Sequence, residues 1–372
     1  MPSEKPRVLF FIDSLKMGGA ERITVALLPH FTRIEPVVCT LHDDYSPLLE
    51  TARQFESYEL SARKLIDKDG LQRFLDLVQT KSIDLIHAQL QHATIYAAIA
   101  HRRLGIPVLT TRHVIYDDES KRSRKIKVRL ERFAIRHATQ HLVFVSQACK
   151  DIYQPIMSDK KSPTQSVIYN GIDLDRFQLD QTKESLRQRL GFSPDKKWIV
   201  MVGVMRPGKG HFAVIEAAKQ IPDAEFLLVG DGDADFAQQV RAQAANLANL
   251  HLLGNRMDVP DILCACDLFI LPSDSEALPT VLIEAGAARL PVVATDVGGV
   301  SEIVQDQVNG LLIEKANTDQ LVSSINTLLE DENKLRSMGD NAYRIAHEKF
   351  AIEKHAEMLT QLYEQMLLQA KS

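Results

Sequence analysis

LFILPSDSEALPTVLIEAGAARLPVVA, residues 268–294, holds two short apolar runs separated by a polar loop and a helical stretch. The runs at 268–271 and 291–294 are continuously apolar, with no alternating polar face. They read as strands buried on both sides, as in a parallel sheet. Between them a helix is predicted over 279–288. Pro279 sits where a first turn tolerates it, and Val281, Leu282 and Ala285 can pack inward. Strand, helix and strand make one β-α-β unit, and the same alternation runs along the whole chain.

Further strands are predicted at 198–203, 225–229, 250–253 and 310–313 in the second half, and at 7–12, 37–41, 83–87, 107–111 and 142–145 in the first. Helices are predicted between them, around 20–31, 70–80, 92–103, 121–137, 211–220, 235–246, 258–266 and 318–330. A repeat of this length predicts an α/β fold of two doubly wound, Rossmann-like parallel-sheet domains. The boundary falls in the Pro- and Gly-rich stretch 155–195, where Asn170-Gly171 is a tight-turn dipeptide. The expected division is 1–175, 176–350, and a helix over 351–372 that crosses back to the first domain.

Composition narrows the class. The 372 residues are 45% hydrophobic and 25% charged, which excludes disordered, collagenous and low-complexity chains. No apolar run approaches the ~18–20 residues of a membrane span. The run VLFFI at 8–12 is too short for a signal-peptide core, so a cytoplasmic location is expected. The four cysteines form neither a disulfide framework nor a metal-ligand spacing, and no metal site is expected. Charge is uneven: residues 1–175 carry 25 Lys and Arg against 21 Asp and Glu, and the rest carry 19 against 28. The first half is the one suited to an anionic partner.

Three local patterns carry chemistry. Gly18-Gly19 follows the first strand and opens a helix, where backbone can approach an anion; a plain tight turn is an equal reading. VGVMRPGKGH at 202–211 ends the first strand of the second half. Arg206 and Lys209 bring positive charge, and Gly208 and Gly210 allow close approach, in a spacing unlike the Walker loop. Glu276 and Glu284, with seven residues between them, stand before and inside the helix at 279–288. Carboxylates there could accept hydrogen bonds from sugar hydroxyls, although two exposed helix glutamates would look the same.

Taken together, the motifs resemble the retaining glycosyltransferases of family 4. The resemblance rests on GGAER (18–22), a strand-end His113, VSQACKDI (145–152), YNGIDLDRF (169–177), RPGKG (206–210), LLVGDG (227–232), LGNRMDV (253–259), ACDLFILPSDSEALPTVLIEA (265–285) and PVVATDVGGVSEIV (291–304), in that order. It implies the GT-B architecture, two Rossmann-like domains facing each other across a cleft. It implies transfer of a sugar from a nucleotide-diphosphate sugar, a UDP-sugar being favoured, with no metal or other cofactor. It further implies that Gly18 and Gly19 give backbone contacts to the donor, that His113 touches the transferred sugar, and that Arg206 and Lys209 bind the diphosphate. Glu276 would reach the donor sugar and Glu284 the ribose. Leu278, Pro279 and Thr280 would surround the phosphates, and Gly230, Asn255 and Arg256 would line the base pocket. The chain departs from the family pattern at Val204, where Arg is usual, and at Ala277, Gly286 and Leu290. The substitutions at 277 and 290 are awkward only if φ is positive there.

Residues 121–136 hold eight Lys and Arg and one Glu. On a helix, Arg122, Lys125, Arg129, Arg132 and Arg136 form one stripe, and Ile126, Leu130 and Phe133 form the next. Adjacent basic and apolar stripes suit an anionic membrane surface or an anionic, lipid-linked acceptor; a core helix with a solvated basic face is the plainer reading. Phe133, the one aromatic in the patch, is expected to be buried, so nucleic acid is not an expected partner. The expected activity is sugar transfer to a lipid-linked or other glycan acceptor, peripheral to the inner membrane face. A soluble transferase making a small glycoside, or a non-catalytic module binding nucleotide sugars or membranes, stays open.

Overall fold

The computed structural model describes residues 5–16, 18–43, 45–62, 67–114, 122–156 and 162–371, apart from the side chains of 122–124, 156 and 371. Two compact units are present: Met1–Gly171 together with Ile352–Ser372, and Ile172–Ala351.

The first unit is built on a parallel sheet of seven strands, β1 (Arg7–Ile12), β2 (Glu35–Thr40), β3 (Glu56–Glu59), β4 (Leu85–Gln89), β5 (Val108–Arg112), β6 (His141–Phe144) and β7 (Thr164–Val167). Their order is β3-β2-β1-β4-β5-β6-β7. Helices α1 (Gly19–Leu27), α2 (Pro47–Ala52), α3 (Lys68–Thr80), α4 (Gln91–Leu104), α5 (Arg122–Ala138) and α6 (Gln147–Tyr153) connect them. Strand β1 shows why a continuous apolar run was needed. Val8, Phe10 and Ile12 enter one core and Leu9 and Phe11 another, because successive side chains point to opposite faces. The C-terminal helix, Ile352–Lys371, fills the first of these cores with Ile352, Ala356, Leu359, Tyr363 and Met366, spaced as one helical stripe. Strands β3 and β7 were not among those expected. Both are four-residue edge strands with no fully buried residue.

The second unit carries a parallel sheet of six strands: β8 (Lys197–Val202), β9 (Ala224–Val229), β10 (Leu250–Gly254), β11 (Leu268–Leu271), β12 (Val292–Thr295) and β13 (Gly310–Ile313). The order is β10-β9-β8-β11-β12-β13. Its helices are α7 (Lys183–Leu190), α8 (His211–Gln220), α9 (Ala234–Ala244), α10 (Val259–Ala265), α11 (Thr280–Ala287), α12 (Val300–Ile303), α13 (Thr318–Leu329) and α14 (Glu332–Lys349). Helix α14 packs on α11 at Gly286, where an added Cβ would lie 2.9 Å from the Ala342 carbonyl oxygen. A larger side chain at 286 would push the two helices apart. Positive φ occurs at Arg289, at 57°, and at neither Ala277 nor Leu290, so those two departures strain no backbone.

In each unit the strand order reverses beside the first strand, next to β1 and next to β8. The loops leaving the carboxyl ends of the strands at such a point form the crevice where doubly wound sheets bind ligands.

Candidate active site

In the second unit, the loop after β8 turns sharply at Gly208 and Gly210, with φ of 83° and 84°. Gly210 lies against the Pro272 carbonyl so closely that a Cβ would overlap it. The turn is held by the Asp274 N–H, which donates to the Gly208 carbonyl at 2.8 Å. This brings Lys209 to the loop after β11, where its Nζ donates to Glu276 Oε1 at 2.6 Å. The side chains are 17% and 9% exposed, so the pair is shielded from water. Arg206, two residues beyond Val204, is exposed and makes no ion pair or hydrogen bond through its side chain among the described residues. The glycine turn therefore delivers Lys209 and not Arg206 to Glu276.

Leu278 and Pro279 are buried, Pro279 occupies the N-cap position of α11, and Thr280 is its first residue. The Leu282 N–H of that first turn donates to the Pro279 carbonyl at 3.0 Å, and the N–H groups of Thr280 and Val281 before it carry the positive end of the helix dipole. Glu284, half-buried, lies one turn further on. Gly230, at φ 129°, packs on Gly203 and donates its N–H to the Gly254 carbonyl at 2.8 Å. Asn255 Oδ1 accepts from the Asp231 N–H at 3.1 Å. Arg256 is turned onto Asp258, with Nε–Oδ1 at 2.8 Å, so its charge is already matched.

In the first unit, Gly18 caps α1 with no side-chain bond and Gly19 opens the helix. His113 follows β5. Its Nε2 lies 3.0 Å from Gln89 Oε1, and Thr24 of α1 donates its hydroxyl to the same oxygen at 2.7 Å. Gln89 thus ties the helix of the glycine turn to His113. Burial, and then the neighbouring Arg112, push the His113 imidazole down to about 4. Below it, His87 bonds Tyr363 Oη and Thr111 Oγ1, each at 2.7 Å. Asp13, at the end of β1, accepts from the N–H groups of Ala93 and His92 at 2.7 and 3.2 Å. Burial raises its carboxyl to about 6. Gln89, His87 and Asp13 escaped the sequence reading. Their only signal is position at or near a strand's carboxyl end, and the predicted β4 ended two residues too early to show it for Gln89.

Helix α5 turns Val128, Ala134, Ile135 and Ala138 inward. Its Glu131 is buried too, accepting from Arg112 Nη1 at 2.7 Å and from Gln91 Nε2 at 2.8 Å. Phe133 does not follow the expectation of burial. It is 52% exposed, with Ile126 at 50% and Leu130 at 37%. Arg102 of α4 lies over its ring at 5.5 Å. Lys125 and Arg129 are exposed, Arg132 and Arg136 half-buried, and the Arg122 side chain falls outside the described residues. Among the described residues, no helix is long and apolar enough to cross a membrane. None of their His, Cys, Asp and Glu side chains gather in a group of three or more that could hold a metal ion.

Residues 17–176 match the family described as Glycosyltransferase Family 4, and residues 182–345 match Glycosyl transferases group 1. An uncharacterized glycosyltransferase of Methanocaldococcus jannaschii is 30% identical over 297 residues, 78% of each chain. The UDP-Gal:alpha-D-GlcNAc-diphosphoundecaprenol alpha-1,3-galactosyltransferase of Escherichia coli is 29% identical over 318 residues, 81% of this chain and 80% of the relative. Among solved structures, Anabaena HepE in complex with UDP-glucose superposes with a TM-score of 0.86 at 25% identity, over 96% of this chain and 99% of that one. The chain belongs to glycosyltransferase family 4 and has its two-Rossmann-domain, GT-B architecture.

Proposed function

We propose that the chain is a retaining glycosyltransferase that moves a sugar from a UDP-sugar to a hydroxyl of a lipid-linked or other glycan acceptor, in cell-envelope or polysaccharide biosynthesis. The observation that carries this reading is the shielded Lys209–Glu276 pair beside the start of α11. A cation touching a carboxylate at a helix N-terminus is an arrangement for a ligand with anionic and hydroxyl-bearing ends side by side. Lys209 and the first N–H groups of α11 stabilise charge growing on the departing diphosphate, which needs no bound metal or other cofactor. Glu276 accepts from hydroxyls of the transferred sugar, and Glu284 from the ribose. Gly18 and Gly19 offer backbone to the donor, His113 bonds the sugar, and Gly230, Asn255 and Arg256 border the base. The anomeric carbon becomes oxocarbenium-like. The acceptor hydroxyl attacks from the face that the phosphate leaves, and that phosphate takes its proton.

The donor preference is supported by the UDP and UDP-glucose complexes of HepE, and the acceptor class by the name of the E. coli relative. A cytoplasmic enzyme working at the inner membrane face accords with α5. There, exposed Ile126, Leu130 and Phe133 lie beside exposed Lys125 and Arg129, an apolar band with positive flanks that fits an anionic bilayer. The test is a thermal-shift and transfer screen over UDP-, GDP- and ADP-sugars in EDTA, with the product anomer read by NMR. A UDP-sugar should stabilise the chain and be consumed with retention. An inverted product, a strict Mg²⁺ requirement, or no transfer from any of the three donors would overturn the corresponding part.

A further inference from the structure

We infer that Gln89 is a positioning residue that fixes the protonation side of His113, so that Nδ1 is presented to the donor sugar as a bare hydrogen-bond acceptor. This rests on the proposed role of His113 at the transferred sugar. The geometry is local to the first unit. Gln89 is 3% exposed and closes β4, and its Oε1 has two neighbours, Thr24 Oγ1 at 2.7 Å and His113 Nε2 at 3.0 Å. An amide oxygen can only accept, so the proton of the neutral imidazole sits on Nε2 and its other nitrogen keeps a lone pair. His113 Nδ1 has no hydrogen-bond partner among the described residues, and His113 itself is half-buried rather than sealed.

The surroundings keep the ring neutral, which the role requires, because an imidazolium has no acceptor left. Among the described residues, three groups interact with it electrostatically: Arg112 at the end of β5, His87 from β4 and His355 from the C-terminal helix. None is an anion, and burial first, then the Arg112 charge, holds protonation of His113 down to about 4. His355 is itself engaged, accepting the Gly171 N–H on Nδ1 at 3.0 Å. Thr24 joins the arrangement to the glycine turn. Its single hydroxyl proton has two carbonyl oxygens in reach, Ala20 O at 2.8 Å and Gln89 Oε1 at 2.7 Å. The assignment requires Gln89 to present oxygen to both Thr24 and His113.

The test uses the full chain labelled with ¹⁵N-histidine. His113 is identified by the signal lost in His113→Gln, and its long-range ¹H–¹⁵N correlations report which nitrogen carries the proton. Wild type should show the Nε2–H form from about pH 5.5 to 8, a span that lies above the fall to about 4. In Gln89→Glu a carboxylate keeps the acceptor but favours the imidazolium, so His113 should titrate at higher pH and transfer should fail on acidification sooner than in wild type. Gln89→Leu, close in volume, should lower kcat roughly tenfold with donor KM within about twofold. A wild-type Nδ1–H form would mean that the amide nitrogen faces Thr24 and His113, and it overturns the assignment even if no variant folds. A fully active His113→Gln variant with the expected Nε2–H form overturns instead the underlying role of His113, and with it the consequence for Gln89.

Discussion

Replacing Lys209 by Ala should weaken both the fold and the reaction, by amounts that can be worked separately. Lys209 Nζ sits 2.6 Å from Glu276 Oε1, with the two side chains only 17% and 9% exposed. Removing one partner of a buried pair strands the other charge at a cost of ~3–5 kcal/mol. The second unit has about 180 residues, Ile172–Ala351. At ~2–4 °C per kcal/mol for that size, its melting step should fall by ~6–12 °C at the lower cost. The donor loses one charge-assisted hydrogen bond, ~1.5–3 kcal/mol, so kcat/KM should drop ~10–150-fold. Two terms of different origin need a cycle to part them. Adding Glu276→Gln removes the stranded charge and should restore most of the melting temperature while leaving transfer impaired. The assays are differential scanning calorimetry of the whole chain, in which the two units need not melt together, and initial rates against donor concentration. Unchanged donor kcat/KM in Lys209→Ala, or strictly additive melting shifts in the double variant, would refute the argument that one lysine serves both the carboxylate and the phosphate.

Glu284→Ala should raise donor KM with little change in kcat, because a ribose contact is the same before and during reaction; Glu276→Ala should mainly lower kcat, and the reverse pattern in steady-state kinetics would exchange their roles. Lys125→Gln with Arg129→Gln should cut sedimentation with phosphatidylglycerol vesicles ~30-fold at ~1 kcal/mol per charge. Wild-type binding should fade as salt shortens the screening length below ~8–10 Å, and equal pelleting of wild type and variant would remove the membrane from the reading. Burial holds His92, His113 and His211 down to about 4 and His355 to about 3, so the folded chain binds fewer protons than the unfolded one below the ordinary histidine value of 6.5. Stability is therefore full above pH ~6.5 and falls on acidification toward ~4, opposed in part by Asp13, whose raised value of about 6 gains stability over the same window. A melting temperature flat from pH 7 to 4 would contradict this balance.

The alternation of apolar runs and helices was enough to read the two sheets, because strands buried on both faces are apolar along most of their length, even where β4 and β5 carry hydrogen-bonded polar residues toward their carboxyl ends. That reasoning located all six strands of the second sheet and five of the seven in the first. The two it missed are the edges. ESYE in β3 and TQSV in β7 pair on one side only and stay partly exposed, so no apolar run marks them. The candidate site divides along similar lines. Glycines with positive φ and paired charges leave a mark in the letters, and Gly208, Gly210 and Lys209 do come together on one turn. Arg206 has the same charge and a similar spacing yet points to solvent, since a turn residue's direction depends on dihedrals that spacing does not encode. Gln89 left no mark at all. An ordinary polar residue becomes informative only when three elements, β4, α1 and the end of β5, converge on its amide.

Helix α5 shows where periodicity itself stops. Steps of three and four correctly group Ile126, Leu130 and Phe133 on one stripe, but they do not say which stripe meets the core. Of the apolar stripe, which could face a bilayer or the core, Phe133 was expected inside. Instead the inward face runs through Val128, Glu131, Ala134, Ile135 and Ala138, with small residues where α4 presents Ile95 and Ala98. Close helix approach selects those alanines, and Phe133 would not fit between the two backbones. The charge that this brings inside, Glu131, is tolerated because Arg112 and Gln91 meet it. A polar pair inside and a phenylalanine outside run against what apolar burial alone would choose. The arrangement puts Arg112, the neighbour that helps keep His113 neutral, in a fixed ion pair. It also leaves an apolar ridge beside Lys125 and Arg129 on the outer surface. Both ends of the reaction proposed above, the sugar contact and the membrane-side acceptor, thus depend on which way this one helix is turned.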